Sequence, residues 1–215
     1  MHVIIHGHLR GGGISFSNNG KFGKSLNRDA SNKFYLSAIE DKFTNFTHND
    51  YTVDFWWKLP TSGLVGDYTP GWSIAIVAAS NPSVGSGYWQ INFTEDRLTV
   101  GRHAVADDVY LFYQSSNYRD DEFHHFALVK NGTIYSLYID GILSDQKNSS
   151  TVIDCNSNLV LFGSASFGGL YGQFDELRIS NTVRYNSNFT PENRPYTPFI
   201  DCNRLLNLFA LDDNS

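Results

Sequence analysis

The stretch from Glu122 to Gln146, EFHHFALVKNGTIYSLYIDGILSDQ, constrains this chain more than any other. It divides into HHFALVK, the dipeptide Asn131-Gly132, TIYSLYI, the dipeptide Asp140-Gly141, and ILSDQ. Asn-Gly and Asp-Gly reach positive φ at low cost, and the tight turns that match strand twist need positive φ. Between the two turns the chain alternates, with Tyr135, Leu137 and Ile139 on one face and Ile134, Ser136 and Tyr138 on the other. Period two with β-branched and aromatic residues is what a half-buried strand requires. The stretch therefore predicts a three-stranded antiparallel meander.

The rest of the chain repeats that texture. Short apolar runs are broken by Gly, Asn, Asp and Pro, as in SIAIVAAS, YWQINFT (Tyr88–Thr94), RLTVGRH (Arg97–His103), VYLFYQSS (Val109–Ser116) and NLVLFG (Asn158–Gly163). Strands at such regular spacing predict an all-β antiparallel sandwich of two sheets. The length of 215 residues suits a single domain, residues 1–215. Aromatics are plentiful at 15%, whereas charged residues, at 18%, fall below the usual ~25%. With a net charge of −6 and no basic stripe, nothing is on hand to neutralise phosphates, so nucleic acid is not expected as a partner. No apolar run is long enough for a membrane-spanning helix, and no membrane insertion is expected. The opening MHVIIHGHL lacks the basic start and long apolar core of a secretory leader. Cys155 and Cys202 stand far apart in sequence; free buried thiols are expected, with a bridge as the alternative.

In Asp50–Leu59, DYTVDFWWKL, alternation places Val53, Phe55 and Trp57 on one face and Thr52, Asp54 and Trp56 on the other. Trp57, in phase with Phe55, is expected in the core. Trp56 then lies on the outer face, either as a plate packed under a loop or as a surface on which a ligand stacks. Gly23-Lys24-Ser25 looks like the end of a phosphate-binding loop, but Asn18 stands where that motif needs its first Gly, so a turn entering a strand is expected.

Several of these blocks carry a family resemblance. FHHFALV with LYIDG, DYTVDFWWKL, KFGKSL with FYLS, and GQFDELRIS (Gly172–Ser180) are similar to the core motifs of laminin G-like domains, which have a concanavalin A-like jelly roll. Phe123 stands where that family usually has Trp. The resemblance runs from Lys21 to Leu211 and rests on core and turn residues, so it speaks to fold more than to function. It implies that NTVRYNSNFTPENRPYTPF is a Tyr-anchored exit leading into a Pro-rich run. Residues 191–215 then form that exit and a closing strand, with Leu205, Leu208 and Phe209 pairing beside the N-terminal strand Val3–Leu9.

The same architecture carries glucanases, which need two carboxylates flanking one glycosidic bond. No Glu-x-Asp-x-Glu occurs, and adjacent Asp175 and Glu176 on a strand point to opposite faces, so no enzyme is expected. His124-His125 diverge in the same way and are expected to be structural. The resemblance also implies a calcium option, with oxygen ligands from Asp107, Asp108 or Asp175. The plainer reading is that Asp175 caps a turn and Asp107-Asp108 is a solvated loop. For glycans, the candidates are aromatic rings on or beside loops, where sugar faces stack and polar neighbours read the hydroxyls. Trp72, Tyr113 and Tyr118 meet that description, with Gln114, Asn117, Arg119 and Asp120 beside the tyrosines.

The wording of KFGKSL, EFHHFALVKNG and FDELRISNTVRYNSNFTPENRPYTP is most similar to laminin G-like domains of tailed-phage structural proteins such as tail fibres and head decorations. That resemblance implies a virion component present in many copies, touching other virion proteins and host surface glycans. The alternative is a secreted or cell-surface bacterial carbohydrate-binding module.

Overall fold

The computed structural model describes residues 8–11, 15–29, 34–38, 46–61, 73–79, 88–93, 98–103, 111–113, 118–150, 159–161, 171–196 and 205–208. In chain order the strands are β1 (His8–Gly11), β2 (Ser15–Gly20), β3 (Gly23–Arg28), β4 (Phe34–Ala38), β5 (Tyr51–Lys58), β6 (Ser73–Ala79), β7 (Tyr88–Phe93) and β8 (Leu98–His103). They continue with β9 (Leu111–Tyr113), β10 (His124–Asn131), β11 (Ile134–Ile139), β12 (Ile142–Asn148), β13 (Leu159–Leu161), β14 (Gly172–Ser180) and β15 (Leu205–Leu208). One sheet has the order β1-β4-β13-β6-β7-β8-β9 and the other β12-β11-β10-β5-β14-β3-β2, with β15 also on β14. Every pairing is antiparallel. This is the two-sheet sandwich the sequence predicts.

The core lies between the sheets, where the alternation puts it. Val53, Phe55 and Trp57 of β5 are buried with Phe126 and Leu128 of β10, Leu137 and Ile139 of β11, and Phe174 and Ile179 of β14. Phe55 stacks on Phe126 with centroids 4.7 Å apart, and Trp57 reaches across to Phe93 of β7 at 5.7 Å. Aromatic pairs of this kind add about 0.5–1.5 kcal/mol each beyond the area they bury.

Three sequence expectations change at the level of backbone. The β10–β11 turn is centred on Gly132 and Thr133, because Asn131 still pairs with Ile134. Positive φ is needed only at Gly132, at 57°, the pattern of a II′ turn. A Cβ there meets nothing within 4 Å, so Gly132→Val is expected to cost only the backbone strain, about 1–2 kcal/mol in chemical denaturation. Next, among the described residues β15 pairs with β14 through Leu177 to Ser180, while the described part of the N-terminal strand, His8–Gly11, pairs with β4. The reason lies in β14 itself: β3 covers its edge only over Gly172 to Phe174, leaving the second half of the edge to be filled. Finally, the register between β14 and β5 jumps between Asp175 and Arg178, with Glu176 at a φ of 52°. This bulge breaks the strict alternation, so adjacent Asp175 and Glu176 do not simply diverge. Glu176 accepts the Tyr196 backbone N–H, and Asp175 accepts that of Phe22.

Candidate functional site

The face of the β5–β10–β14 sheet turned away from the core is also buried, under residues 181–196, which cross it as a strap. Val183, Tyr185 and Phe189 pack onto Ala127, Val129 and Tyr138, and Tyr185 stacks on Phe189 at 3.6 Å. Beneath the rings is a buried polar network. The fully buried Asp54 carboxylate accepts hydrogen bonds from Arg178 Nε (3.0 Å) and Nη2 and from Tyr185 Oη (2.8 Å). Arg178 also reaches Glu192 at 3.0 Å and lies 3.6 Å from the Tyr196 ring centre. Burial pushes Asp54 towards its neutral form, but the Arg178 guanidinium outweighs that and holds the carboxyl below its usual value.

His125 sits in the same network, its Nε2 at 2.8 Å from Tyr196 Oη and its Nδ1 buried with no partner. Burial, which outweighs the nearby Asp54, depresses its pKa from 6.5 to about 4. A group whose folded pKa is depressed contributes stability above its unfolded pKa and loses it as pH falls towards the folded one. His125 alone is expected to take about 3 kcal/mol from the fold between pH 6.5 and pH 4. Urea titrations of wild type and His125→Gln across that window measure it; the slope should be flatter in the variant.

Trp56 is closed off by a different cover, the turn between β2 and β3. Trp56 is 6% exposed, with Phe22 edge-on at 5.9 Å, Lys21 Nζ 4.1 Å from the ring centre, and His125 at 5.1 Å. It is the packed plate of the two expectations; a sugar has no face of it to stack on. Asp175 takes the capping role. Its two oxygens accept the backbone N–H groups of Phe22 and Glu176, which ties it to the β2–β3 turn and to the bulge of its own strand. Among the described residues, no three His, Cys, Asp or Glu side chains are grouped to hold a metal. Trp72, Asp107 and Asp108 lie outside the described residues, and so do Cys155 and Cys202. Tyr113 ends β9 in register with Leu98, and its side chain is likewise outside them.

Of the three proposed loop-side stacking rings, Trp72, Tyr113 and Tyr118, the side-chain setting is described for Tyr118. That ring is half-buried at the end of the sheet, 4.6 Å edge-on to His124 and 6.0 Å from Trp57. His124 bridges two elements. Nδ1 is 2.7 Å from Asp140 in the β11–β12 turn, and Nε2 is 3.2 Å from both oxygens of Asp120 in the preceding loop. Asp120 and Asp140 stay open to solvent at 46% and 43% of their side chains. The loop is fixed from below by Arg119 Nε to the Pro60 carbonyl, Asp121 N to the Leu59 carbonyl, and Lys58 to Asp121. The result is a rim with one aromatic ring, two exposed carboxylates and a rigid base, a set of groups able to stack on a sugar face and accept its hydroxyls. The sequence places Asp120 beside Tyr118 and marks His124 as structural, but it does not join His124 or Asp140 to this group. The signal was present: once the Asp140-Gly141 turn is set, antiparallel register brings Asp140 level with His125.

The chain's 30–187 segment matches the family model described as the concanavalin A-like lectin/glucanases superfamily. No curated protein sequence matches the chain. Among solved structures, the binding domain of botulinum neurotoxin DC in complex with SialylT is similar at a TM-score of 0.61 and 13% identity over 84% of this chain and 44% of that one. A structure of botulinum neurotoxin type C, whose cell entry is described as dependent upon interaction with two ganglioside molecules, gives 0.59 and 14%, over 84% and 44%. This chain thus spans less than half the length of these neurotoxin chains. Domain 4 of AbnA, a GH43 extracellular arabinanase from Geobacillus stearothermophilus, in complex with arabinotriose, gives 0.57 and 15% over 80% of this chain and 81% of that one. At these identities the structural likeness is one of fold. With the family match covering most of its length, and the fold agreeing, the chain belongs to the concanavalin A-like lectin/glucanases superfamily.

Proposed function

We propose that this chain is a non-enzymatic glycan-binding attachment domain, and that it works as a structural component of a virion contacting host surface glycans. The observation that carries the glycan reading is the rim itself: Tyr118 beside the exposed carboxylates of Asp120 and Asp140, on a rigid base. Similar folds seen with arabinotriose and SialylT support it. Against catalysis stands the use already made of Asp175 and Glu176, whose carboxylates accept backbone N–H groups. The virion setting rests on the wording of the motifs alone. Affinity per copy is expected to be weak and to gain strength from many copies.

The test is a glycan array, with arabinotriose and ganglioside oligosaccharides as soluble probes. Tyr118→Ala should weaken binding at least tenfold while costing only about 1 kcal/mol of stability, since the ring is half-buried at the rim. Undiminished binding in a stable variant moves the site elsewhere. A second reading, a carbohydrate-binding module of a bacterial surface or secreted protein, draws on the arabinanase domain, which matches this chain over most of both lengths. Co-purification with intact particles separates the two.

A further inference from the structure

We propose that His124 is a pH-sensitive latch on the rim: its doubly protonated ring ties the loop at Asp120 to the β11–β12 turn, and loss of the Nε2 proton releases Asp120 and loosens Tyr118. The geometry asks for two protons. Both ring nitrogens face carboxylates, Nδ1 at 2.7 Å from Asp140 and Nε2 at 3.2 Å from Asp120, and a carboxylate accepts but does not donate. A neutral imidazole would aim a lone pair at one of the two anions.

The weaker link is the one to Asp120. Asp140 is held twice, since its other oxygen accepts the His125 backbone N–H at 2.8 Å and its own N–H bonds the His125 carbonyl. Asp120 has the longer contact, is more exposed, and is otherwise engaged through the Glu122 N–H at 2.9 Å. The remaining charged and titratable groups around the ring are Lys58 on β5, Arg119, Asp121 and Glu122 in the loop, Tyr118 edge-on, and buried His125 next in the strand. Lys58 is drawn to Asp121 and Arg119 to the Pro60 carbonyl, so neither replaces the imidazolium between the two carboxylates. Partial burial works against the charged ring, but Asp140 and Asp120 together outweigh it and raise the His124 pKa above 6.5. The latch is therefore closed below that value and opens as pH rises through the raised one.

The functional half of this inference, pH-dependent sugar binding, rests on the rim being the glycan site. The latch itself is tested without a sugar, by NMR titration of the full chain from mildly acidic to alkaline pH. The His124 ring should titrate above 6.5, the Glu122 amide should shift with the same midpoint, and Asp140→Asn should lower that midpoint. His124→Asn, which keeps a donor for Asp140 but has none for Asp120, should hold the Glu122 amide at its alkaline position throughout. A midpoint at or below 6.5, or a Glu122 amide that ignores it, overturns the latch. A coupled titration with no glycan bound on the array upholds the latch and sinks the glycan reading; glycan binding with a silent Glu122 amide does the reverse.

Discussion

Replacing Arg178 with Met should destabilise the domain by about 3–5 kcal/mol, more than any other single side-chain change proposed for this chain. The reason is what stays behind. Asp54 is fully buried, and Arg178 supplies both of its charged hydrogen bonds. Without the guanidinium, the carboxylate keeps the Tyr185 hydroxyl alone at short range, at 2.8 Å. It must then either remain an unpaired buried charge or take up a proton, and either route costs free energy. Asp54→Asn should be milder, because Arg178 still has Glu192 at 3.0 Å and the Tyr196 ring beneath it. Removing both charges, Asp54→Leu with Arg178→Met, should recover part of the loss, since replacing a buried ion pair by apolar groups is often close to neutral. Urea denaturation of wild type, Arg178→Met, Asp54→Leu and the double variant forms the cycle, with Asp54→Asn measured beside it. An Arg178→Met loss below about 1 kcal/mol would mean that the strap shields Asp54 by other means.

Gly141→Ala should cost at least about 3 kcal/mol and lower the melting temperature by about 6–12 °C. Two independent faults arise at one atom. The φ of Gly141 is 78°, where a Cβ is strained, and the added Cβ would stand 1.9 Å from the Phe189 carbonyl oxygen. That oxygen belongs to backbone, so no side-chain rotation relieves it. The strap must lift, losing the Phe189 N–H to Gly141 carbonyl bond of 2.9 Å and the ring contacts of Phe189 with Tyr138 and His125. Limited proteolysis should then cut within residues 181–196. Gly132 is the internal control: it has a positive φ too, but open space around its Cβ. If the two substitutions cost the same, steric contact with the strap is not what keeps Gly141 a glycine.

The contrast between these glycines shows what was legible in the sequence. Turn chemistry and period two are local, so both hairpins of the meander, the inward set Val53, Phe55 and Trp57, and the strand Gly172–Ser180 could be read directly. What alternation does not reveal is what covers the other side. Thr52, Asp54 and Trp56 read as an outer face, yet all three are buried: the strap lies on Thr52 and Asp54, and the Lys21-Phe22 turn lies on Trp56. The bulge at Glu176 was hidden because a positive φ at a non-glycine residue leaves no mark in composition. The partner of β15 was hidden because it depends on how far β3 reaches along β14, a matter of three-dimensional edges. The rim was half legible for a similar reason. Tyr118 and Asp120 are neighbours in the chain, whereas Asp140 joins them only through the hairpin register.

The strap also sets the order of events when the domain comes apart. Its anchors Asp54, His125 and Arg178 lie on β5, β10 and β14, strands separated by long stretches of chain. No anchor site exists until those three strands are side by side, so the strap can dock only after the sheet has formed. Interactions made after the rate-limiting barrier leave the folding rate nearly unchanged and slow unfolding instead. If the strap docks after that barrier, variants that lift it, such as Gly141→Ala, should speed unfolding and leave the folding rate nearly unchanged. The sixteen residues 181–196 then set the lifetime of the folded domain.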